Sequence, residues 1–183
     1  MSVDLAAAYD AVADIARGSR NLEESWKSLI DYGESLIPGK EWASLRELNI
    51  AKDVTQVKEQ IKLIIKNEPI PSEVTCLYFG LFEAIYEGSD KPSAGYYISG
   101  VVKYDPDDSD SVCDPFYFPE HRFIQSNILD AIMDKGQAKV ATSSLMDYAI
   151  MLGAASLISK YAIKEELNYQ LVVGFDSGDL LQV

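Results

Sequence analysis

Two apolar, aromatic-rich stretches dominate the hydrophobic pattern of this chain, residues 74–86 and 96–104. A segment rich in Gly, Ser and Pro separates them, and this arrangement predicts a β-hairpin. Both alternating faces of the first stretch are apolar, so we expect a strand that is covered on both sides. Gly80 and Gly100 interrupt the stretches near their centres, where a glycine marks either a β-bulge or a close approach to the backbone, for example by a ligand. Of the two, we favour β-bulges.

The second stretch is predicted to have one apolar and one half-solvated face. Alternation places on the apolar face Tyr96, Ile98, Val102 and Tyr104. The half-solvated face consists of Tyr97, Ser99, Val101 and Lys103. We therefore expect water to reach one side of this strand.

Helical spacing of apolar residues dominates the chain before the hairpin. It predicts helices over residues 3–16, 22–36, 41–48 and 53–66. Ser2 and Asn21 are the expected N-caps of the first two helices. Two prolines, Pro69 and Pro71, then forbid helix continuation, so the helical part ends before the hairpin.

After the hairpin, the pattern alternates between short strands and helices. Residues 112–118 are predicted to form a short third strand that ends at Pro119, as Phe116 and Phe118 suggest. Residues 123–134 are predicted to be helical, as is a longer segment from a cap at Thr142 or Ser143 to about residue 165. This longer helix has the widest apolar surface in the chain, so we expect it to be central. Residues 169–183 predict a strand, a tight turn and a strand.

The order of these elements indicates an α+β fold. We expect an N-terminal helical segment, followed by a small, mostly antiparallel sheet that packs against the two helices of the C-terminal half. Residues 1–183 are expected to form a single domain. Within it, the two prolines separate a helical subdomain, residues 1–68, from a sheet-containing part, residues 69–183.

The chain is strongly acidic, with a net charge of −13 from 16 basic and 29 acidic residues. Residues 1–68 carry a net −3 and residues 69–183 a net −10, so the acidity is concentrated in the sheet-containing part. A field of this sign repels phosphate backbones and anionic lipid heads and attracts basic molecules. We therefore expect a basic protein partner and no direct contact with nucleic acid or membrane, and the oligomeric state stays open.

The two cysteines indicate a reducing environment. Cys76 lies in a predicted buried strand and Cys113 in a loop, without the spacing of a zinc or redox motif. Asp4, Asp10 and Asp14 interrupt the N-terminus, which therefore lacks the apolar core of a secretory signal. We expect a cytoplasmic protein that uses no cofactor.

An aspartate-rich segment, residues 105–114, follows the hairpin and is called the acidic loop below. Aligned from Asp105, the glycine position of a calcium-binding EF-hand is Asp110, and the bidentate glutamate position is Phe116. The EF-hand pattern thus fails at its two most diagnostic positions. We interpret the segment as a solvated loop.

An enzymatic alternative uses the same region. It is a metal-assisted hydrolase built on Asp107, Asp110, Asp114, Glu120 and His121. His121 is the single histidine of the chain, which excludes a multi-histidine metal site. A Cys113/His121 dyad has no third residue to orient it, so no catalytic residue is assigned.

The tyrosines in and around the hairpin suggest a binding role instead. Tyrosine combines a large contact area with a polar tip, and it is favoured at protein interfaces. The predicted binding residues are Tyr97, Tyr104, Asp105, Asp107, Asp108, Asp110, Asp114 and Tyr117. Our first hypothesis is a non-enzymatic acidic protein-binding module, in which the carboxylates steer a basic partner and the tyrosines anchor it. A purely structural subunit of an assembly is a third hypothesis.

An acidic α+β chain with an aromatic hairpin and an Asp-rich loop resembles bacterial immunity proteins, which neutralise basic toxin domains. The resemblance is one of composition and layout. It implies an immunity- or inhibitor-type protein.

Overall fold

The computed structural model describes residues 4–39, 41–85, 92–136, 141–163, 167–175 and 179–183, and within them the chain forms six α-helices and a five-stranded mixed sheet. The helices are α1 (Leu5–Arg17), α2 (Leu22–Leu36), α3 (Glu41–Arg46), α4 (Ile50–Asn67), α5 (Asn127–Gly136) and α6 (Ala141–Ile163). The strands are β1 (Cys76–Ile85), β2 (Pro92–Val101), β3 (Phe123–Gln125), β4 (Gln170–Phe175) and β5 (Leu180–Gln182). The predicted α+β class is confirmed.

The strands are ordered β3-β2-β1-β4-β5, and every neighbouring pair is antiparallel except β1 and β4, which are parallel. β1 and β2 pair without interruption, from Cys76 opposite Val101 to Ile85 opposite Pro92. The predicted pairing of the hairpin is therefore confirmed, while its connection, residues 86–91, lies outside the described residues. The predicted terminal strands pair as β4 and β5, and most of their turn, residues 176–178, also lies outside.

Gly80 and Gly100 do not mark β-bulges, so that prediction is wrong. Both keep the regular register, and a neighbour occupies the space of the missing side chain. A Cβ at Gly80 would lie 2.3 Å from the ring of Tyr97, and one at Gly100 would lie 2.7 Å from Val74. Close approach of a neighbour is the other condition that favours glycine in a strand.

Side-chain caps fix the starts of the N-terminal helices. Asn21 accepts a hydrogen bond from a first-turn N–H of α2 at 2.9 Å, as predicted. α1 is capped by Asp4, which accepts at 3.2 Å, so the predicted cap at Ser2 is wrong. Asn49 caps α4 in the same way, and this helix therefore begins at Ile50, three residues earlier than predicted.

α6 is the central helix, as predicted. Its residues 149–160 are buried on every side, and α1, α2, α4 and α5 all pack against it. Gly153 permits this close packing, because a Cβ there would lie 2.6 Å from Val12. The buried ammonium of Lys160 donates to two carbonyl oxygens at the end of α1, at 2.7 and 2.9 Å, and so caps that helix. α6 begins at Ala141, so the predicted cap positions 142 and 143 lie within its first turn.

α5 and α6 also cover one face of the sheet, as predicted. The residues that point to this side belong to the main hydrophobic core. They include Leu77, Phe79 and Leu81 of β1, Tyr96 and Ile98 of β2, Ile124 of β3, Leu171 and Val173 of β4, and Leu181 of β5. The alternation predicted for β1 and the start of β2 is therefore confirmed on this face.

The segment between β2 and α5 differs from the prediction. Residues 112–118 do not form a strand: the chain makes a turn of 3-10 helix over Ser109–Val112, and Tyr117 forms an isolated bridge with Gly100. The third strand is β3, and α5 begins only at Asn127. Ser126 separates the two elements, because its Oγ accepts from an N–H of the first turn of α5 at 3.2 Å.

The half-solvated face predicted for β2 is found at one end only, where Tyr97 is partly exposed. Ser99 and Val101 are buried, because the chain after β2 folds back over this face and brings Val112 into the same apolar cluster as Val101. β2 ends at Val101, so Val102 is exposed beyond the strand. Tyr104 packs against the cluster of Val112 and not in the main core.

Candidate functional site

The sheet face that points away from the helices is covered at one end only. There, Cys76, Tyr78, Val101 and Val172 form a second apolar cluster with Val112 of the 3-10 helix. At the other end of this face, aromatic side chains are accessible to solvent. This open end is the candidate functional site.

Four rings form what we call the aromatic patch: Phe82, Tyr97, Phe118 and Phe123. The pairing of β2 with β3 sets Tyr97 opposite Phe123. Phe82 and Phe123 have ring centroids 5.4 Å apart, and Tyr97 and Phe118 6.0 Å apart, both in edge-to-face geometry. Phe118 is 50% exposed and Phe123 is 56% exposed. Contiguous exposed apolar side chains of this kind mark interaction surfaces more often than scattered ones do.

Arg122 joins two rings of the patch. Its guanidinium carbon lies 3.9 Å from the ring centroid of Phe118 and 4.8 Å from that of Phe123, within the range of cation–π contacts. Its Nη1 also donates to the carbonyl oxygen of Pro119 at 3.1 Å. The two exposed rings are therefore pre-organised around a positive charge.

Glycines let the patch lie close to the strand backbone. The ring of Tyr97 lies across Gly80, where any side chain would collide with it. Tyr78 contacts Tyr97 edge-on at 5.9 Å, and its hydroxyl donates to the carbonyl oxygen of Gly174 at 3.2 Å. The central strands thus support the patch from below.

The acidic loop is joined to the patch by residues 115–117, and it is shaped by its own carboxylates. Asp105 accepts from the N–H of Asp107 at 3.1 Å, and Asp108 accepts from the N–H of Asp110 at 3.0 Å, which caps the 3-10 helix. The exposed members of the loop are Asp107, Asp108, Asp110 and Asp114. The loop therefore presents most of its charge to solvent.

The predicted tyrosines lie at different depths. Tyr97 belongs to the patch, while Tyr104 is half-buried beside the second apolar cluster, where burial raises its pKa. Tyr117 is only 5% exposed, and its hydroxyl donates to the carbonyl oxygen of Glu68 at 2.7 Å. Burial raises the pKa of Tyr117 to about 12. Tyr117 thus ties the segment after the loop to the end of α4 and lies beneath the surface.

Glu68 also fixes the turn that contains the single histidine. Its carboxylate accepts from the N–H of Glu120 at 3.0 Å and from that of His121 at 3.5 Å. Within the part of the chain that the structure describes, no three acidic, histidine or cysteine side chains are grouped so that they could hold a metal ion. The metal-assisted hydrolase hypothesis thus gains no geometric support.

A second polar group lies at the carboxyl ends of the parallel strands β1 and β4, an edge where open α/β sheets often bind ligands. Tyr148 donates to Glu83 at 2.5 Å and packs edge-on against Phe175 at 5.3 Å. Tyr9 donates to Asp179 at 3.3 Å, and burial together with this carboxylate raises the pKa of Tyr9 to about 12. Each hydroxyl is engaged with a carboxylate, so these contacts attach α1 and α6 to the sheet.

The site residues predicted from the sequence do not include Phe82, Phe118, Arg122 and Phe123. A local signal exists, since residues 118–123 combine two phenylalanines with an arginine. Phe118 lies at the end of a predicted strand, and Phe123 lies at the start of a predicted helix. Neither position predicts that the ring is exposed at the surface. The three-residue strand β3 gives Phe123 its place, and no periodicity reveals so short a strand.

Comparisons of the chain with protein-family models, with curated proteins and with solved structures found no match. The helices that the structure describes include none of the length and apolarity needed to span a membrane.

Proposed function

We propose that this protein is a non-enzymatic binding module of the immunity or inhibitor type, which binds a basic protein partner through the aromatic patch and the acidic loop. The observation that carries this proposal is the cluster of half-exposed rings around Arg122, joined to a loop with five aspartates. Such a surface binds by contact and charge and needs no cofactor.

The aromatic patch would supply the anchors of the complex. Full burial of a phenylalanine side chain stabilises by about 1.5–3 kcal/mol. Because Phe118 and Phe123 are half exposed, docking would gain roughly half of that from each ring. Their contacts with Arg122 hold them in place before binding, which lowers the entropic cost of ordering them in the complex.

The acidic loop would steer the encounter. Exposed carboxylates attract a basic partner over distances comparable to the Debye length and raise the association rate more than the final affinity. The net charge of −10 on residues 69–183 reinforces this attraction. We therefore assign the loop to association and the rings to retention of the partner.

The partner is expected to lie on the face of the sheet and not to extend its β3 edge. The side-chain amide of Gln60 donates to the carbonyl oxygen of Gln125 in β3, and it accepts from the N–H of the same residue, both at 2.9 Å. These are backbone groups that an added strand would use. Gln60 thus blocks recognition by strand addition at this residue.

A reducing cytoplasm is the compartment we propose, and a bacterial one if the resemblance to immunity proteins holds. Cys76 and Cys113 are both free thiols, and Cys113 is exposed. An exposed free thiol persists best where the environment keeps it reduced.

Capture followed by kinetics tests the proposal. Basic proteins that the immobilised chain retains from a bacterial lysate are identified by mass spectrometry, and the purified partner is then measured by surface plasmon resonance. The variant Asp107→Asn/Asp108→Asn/Asp110→Asn should associate more slowly and with a weaker salt dependence, since the Debye length falls from about 10 Å at 0.1 M to about 3 Å at 1 M. The variant Phe118→Ala/Phe123→Ala should instead dissociate faster.

A matched control separates the loop from net charge. Asp10→Asn/Glu23→Gln/Glu47→Gln removes three exposed carboxylates from the helical part and changes the net charge equally. This control should associate faster than the loop variant. Asparagine at position 108 keeps an acceptor oxygen for the cap, so the loop should retain its shape. Wild-type kinetics in both the loop and the patch variants would refute the proposed binding surface.

A further inference from the structure

The segment between the acidic loop and the aromatic patch exposes alternate side chains. Tyr117 exchanges two backbone hydrogen bonds with Gly100, at 2.8 and 2.9 Å, and its side chain is buried in the main core. Because side chains of an extended segment alternate, Phe116 and Phe118 point the other way, to the open face of the sheet. We call Asp114, Phe116 and Phe118 the exposed row, since all three are exposed to solvent.

Phe116 differs from the four rings of the aromatic patch in its contacts. Its side chain is 56% exposed, and among the described residues it has no aromatic or cation–π partner. The ring of Phe118, two positions further on, is already in contact with the guanidinium of Arg122 at 3.9 Å. Phe116 is therefore the ring that is left open to a partner, at the border between the patch and the acidic loop.

The carboxylate of Asp114 is left open in the same way. Asp105 and Asp108 accept hydrogen bonds from N–H groups of the loop, whereas Asp114 accepts none and forms no ion pair with any described residue. Two residues of an extended segment span about 7 Å, so this charge lies one side-chain position away from the ring of Phe116. A negative charge and an open ring are thus neighbours on the surface.

A guanidinium group suits both neighbours at once. It is planar and stacks on aromatic rings, and its N–H groups donate to a carboxylate in a two-pronged geometry. The protein itself contains the first of these contacts, between Arg122 and Phe118. A lysine ammonium is a more strongly hydrated point charge and gains less from a ring. The sign of the field also matches, because a net charge of −13 attracts a cation.

We propose that Phe116 and Asp114 bind an arginine side chain of the basic partner. This inference rests on the binding function proposed above, and it adds the chemistry of the residue that the partner presents. The guanidinium stacks on the ring of Phe116 and pairs with the carboxylate of Asp114. A second copy of the chain is disfavoured as the occupant, because two copies that each carry a net −13 repel one another.

Fluorescence anisotropy with labelled octa-arginine and octa-lysine peptides tests this anchor on the full chain. The two peptides carry the same charge, so the long-range attraction is the same for both. The wild type should prefer octa-arginine. Phe116→Leu keeps an apolar side chain and removes the ring, so it should reduce this preference about two- to fivefold, as expected for an exposed cation–π contact. Phe116→Tyr keeps the ring and should retain the preference.

Asp114→Asn tests the carboxylate of the anchor. It should weaken the binding of octa-arginine more than the matched control Asp10→Asn does. Asp10 is an exposed aspartate of α1, so its replacement changes the net charge equally at a distance from the exposed row. Circular dichroism checks that each variant is folded.

Three results with the peptides would overturn the anchor. One is an equal preference for octa-arginine in the wild type and in Phe116→Leu, and another is its loss in the folded Phe116→Tyr variant. The third is an equal effect of Asp114→Asn and Asp10→Asn. Self-association of the chain in analytical ultracentrifugation, abolished by Phe116→Ala, would instead assign the exposed row to a second copy.

The captured partner distinguishes this inference from the proposed function. If Phe118→Ala/Phe123→Ala accelerates dissociation and Phe116→Leu does not, the binding surface stands and the arginine anchor is refuted. If Phe116→Leu also accelerates dissociation, arginines of the partner are replaced one at a time by lysine. One such replacement should remove the difference between the wild type and Phe116→Leu, as a double-mutant cycle requires for a direct contact. Full additivity at every arginine would refute the anchor and leave the binding surface in place.

Discussion

Leu152 tests the central position of α6 and with it the packing that supports the sheet. The side chain is 2% exposed, and four other helices pack against α6. Leu152→Ala keeps the helix, since alanine is the best helix former, and removes most of a buried side chain. The lost burial and the cavity together cost about 2–5 kcal/mol for buried leucines. We expect the upper half of this range, because elements on several sides hold the cavity open.

Urea unfolding followed by circular dichroism measures this loss, and Leu63→Ala is the matched control. Leu63 lies on α4 and is 58% exposed, so the same substitution there should change the free energy of unfolding by no more than about 0.5 kcal/mol. The slope against urea should be the same in both variants, because both unfold the same surface. A loss below about 0.5 kcal/mol at Leu152, or equal losses at the two positions, would refute the central placement of α6.

Three further predictions follow from buried titratable groups. Dithionitrobenzoate should label one thiol per native chain, the exposed Cys113, and two after unfolding, because Cys76 is buried; two rapid labels in the native state would contradict this. Burial raises the pKa values of Cys76, Tyr9 and Tyr117 to about 12. In the unfolded chain the thiol releases its proton from about pH 8.5 and the phenols from about pH 10, whereas the native state still holds these protons. The melting temperature should therefore fall from about pH 9 towards pH 12. A melting temperature that stays constant over this range would contradict the burial of these groups. Burial also raises the pKa of Asp53, although hydrogen bonds oppose the shift. The native state then holds the proton of Asp53 to a higher pH than the unfolded chain does, so the stability contributed by this group falls as pH rises above its ordinary pKa. The difference in unfolding free energy between the wild type and Asp53→Asn should therefore change across pH 3.5–7.

The elements that could be predicted are those whose signals are local. Asn21 caps α2 where the sequence places it, and the uniformly apolar β1 is covered on both faces over residues 76–81. The wide apolar surface of α6 also predicts its central position. In each case the pattern and the burial are properties of one continuous segment, so no distant residue has to be known.

The errors occur where a distant residue decides the local structure. Apolar spacing from Ile124 to Ile132 continues through Ser126 and therefore predicts one helix. In the fold, the hydroxyl of Ser126 donates to the carboxylate of Asp53 at 2.6 Å, and Asp53 also accepts from the N–H of Asn127 at 2.9 Å. A residue of α4 thus fixes the start of α5, and β3 is left as the third strand.

The candidate site likewise has one part that could be predicted from the sequence and one part that could not. The acidic loop was predictable as a solvated segment because its composition excludes burial. The aromatic patch was not, since it requires the pairing of β2 with β3 and the glycine at position 80. Tyr117 is the opposite case. The sequence suggests it as an interface residue, but in the fold it lies below the surface, where its hydroxyl is hydrogen-bonded to Glu68.

Arg122 provides the sharpest test of how the patch and the loop divide their roles. It is a cation in a surface proposed to bind a basic partner, so its charge opposes the encounter, while its contacts order Phe118 and Phe123. Arg122→Ala should therefore leave association at least as fast as in the wild type and accelerate dissociation, because the rings lose their support.

Arg122→Lys separates charge from stacking. Lysine keeps the positive charge but lacks the planar guanidinium that lies on the two rings. If stacking orders the patch, the lysine variant should dissociate as fast as the alanine variant. A wild-type dissociation rate in Arg122→Lys, measured with the captured partner, would show that the charge alone matters. The two rings would then have to be ordered by their edge-to-face contacts, Phe118 by Tyr97 at 6.0 Å and Phe123 by Phe82 at 5.4 Å.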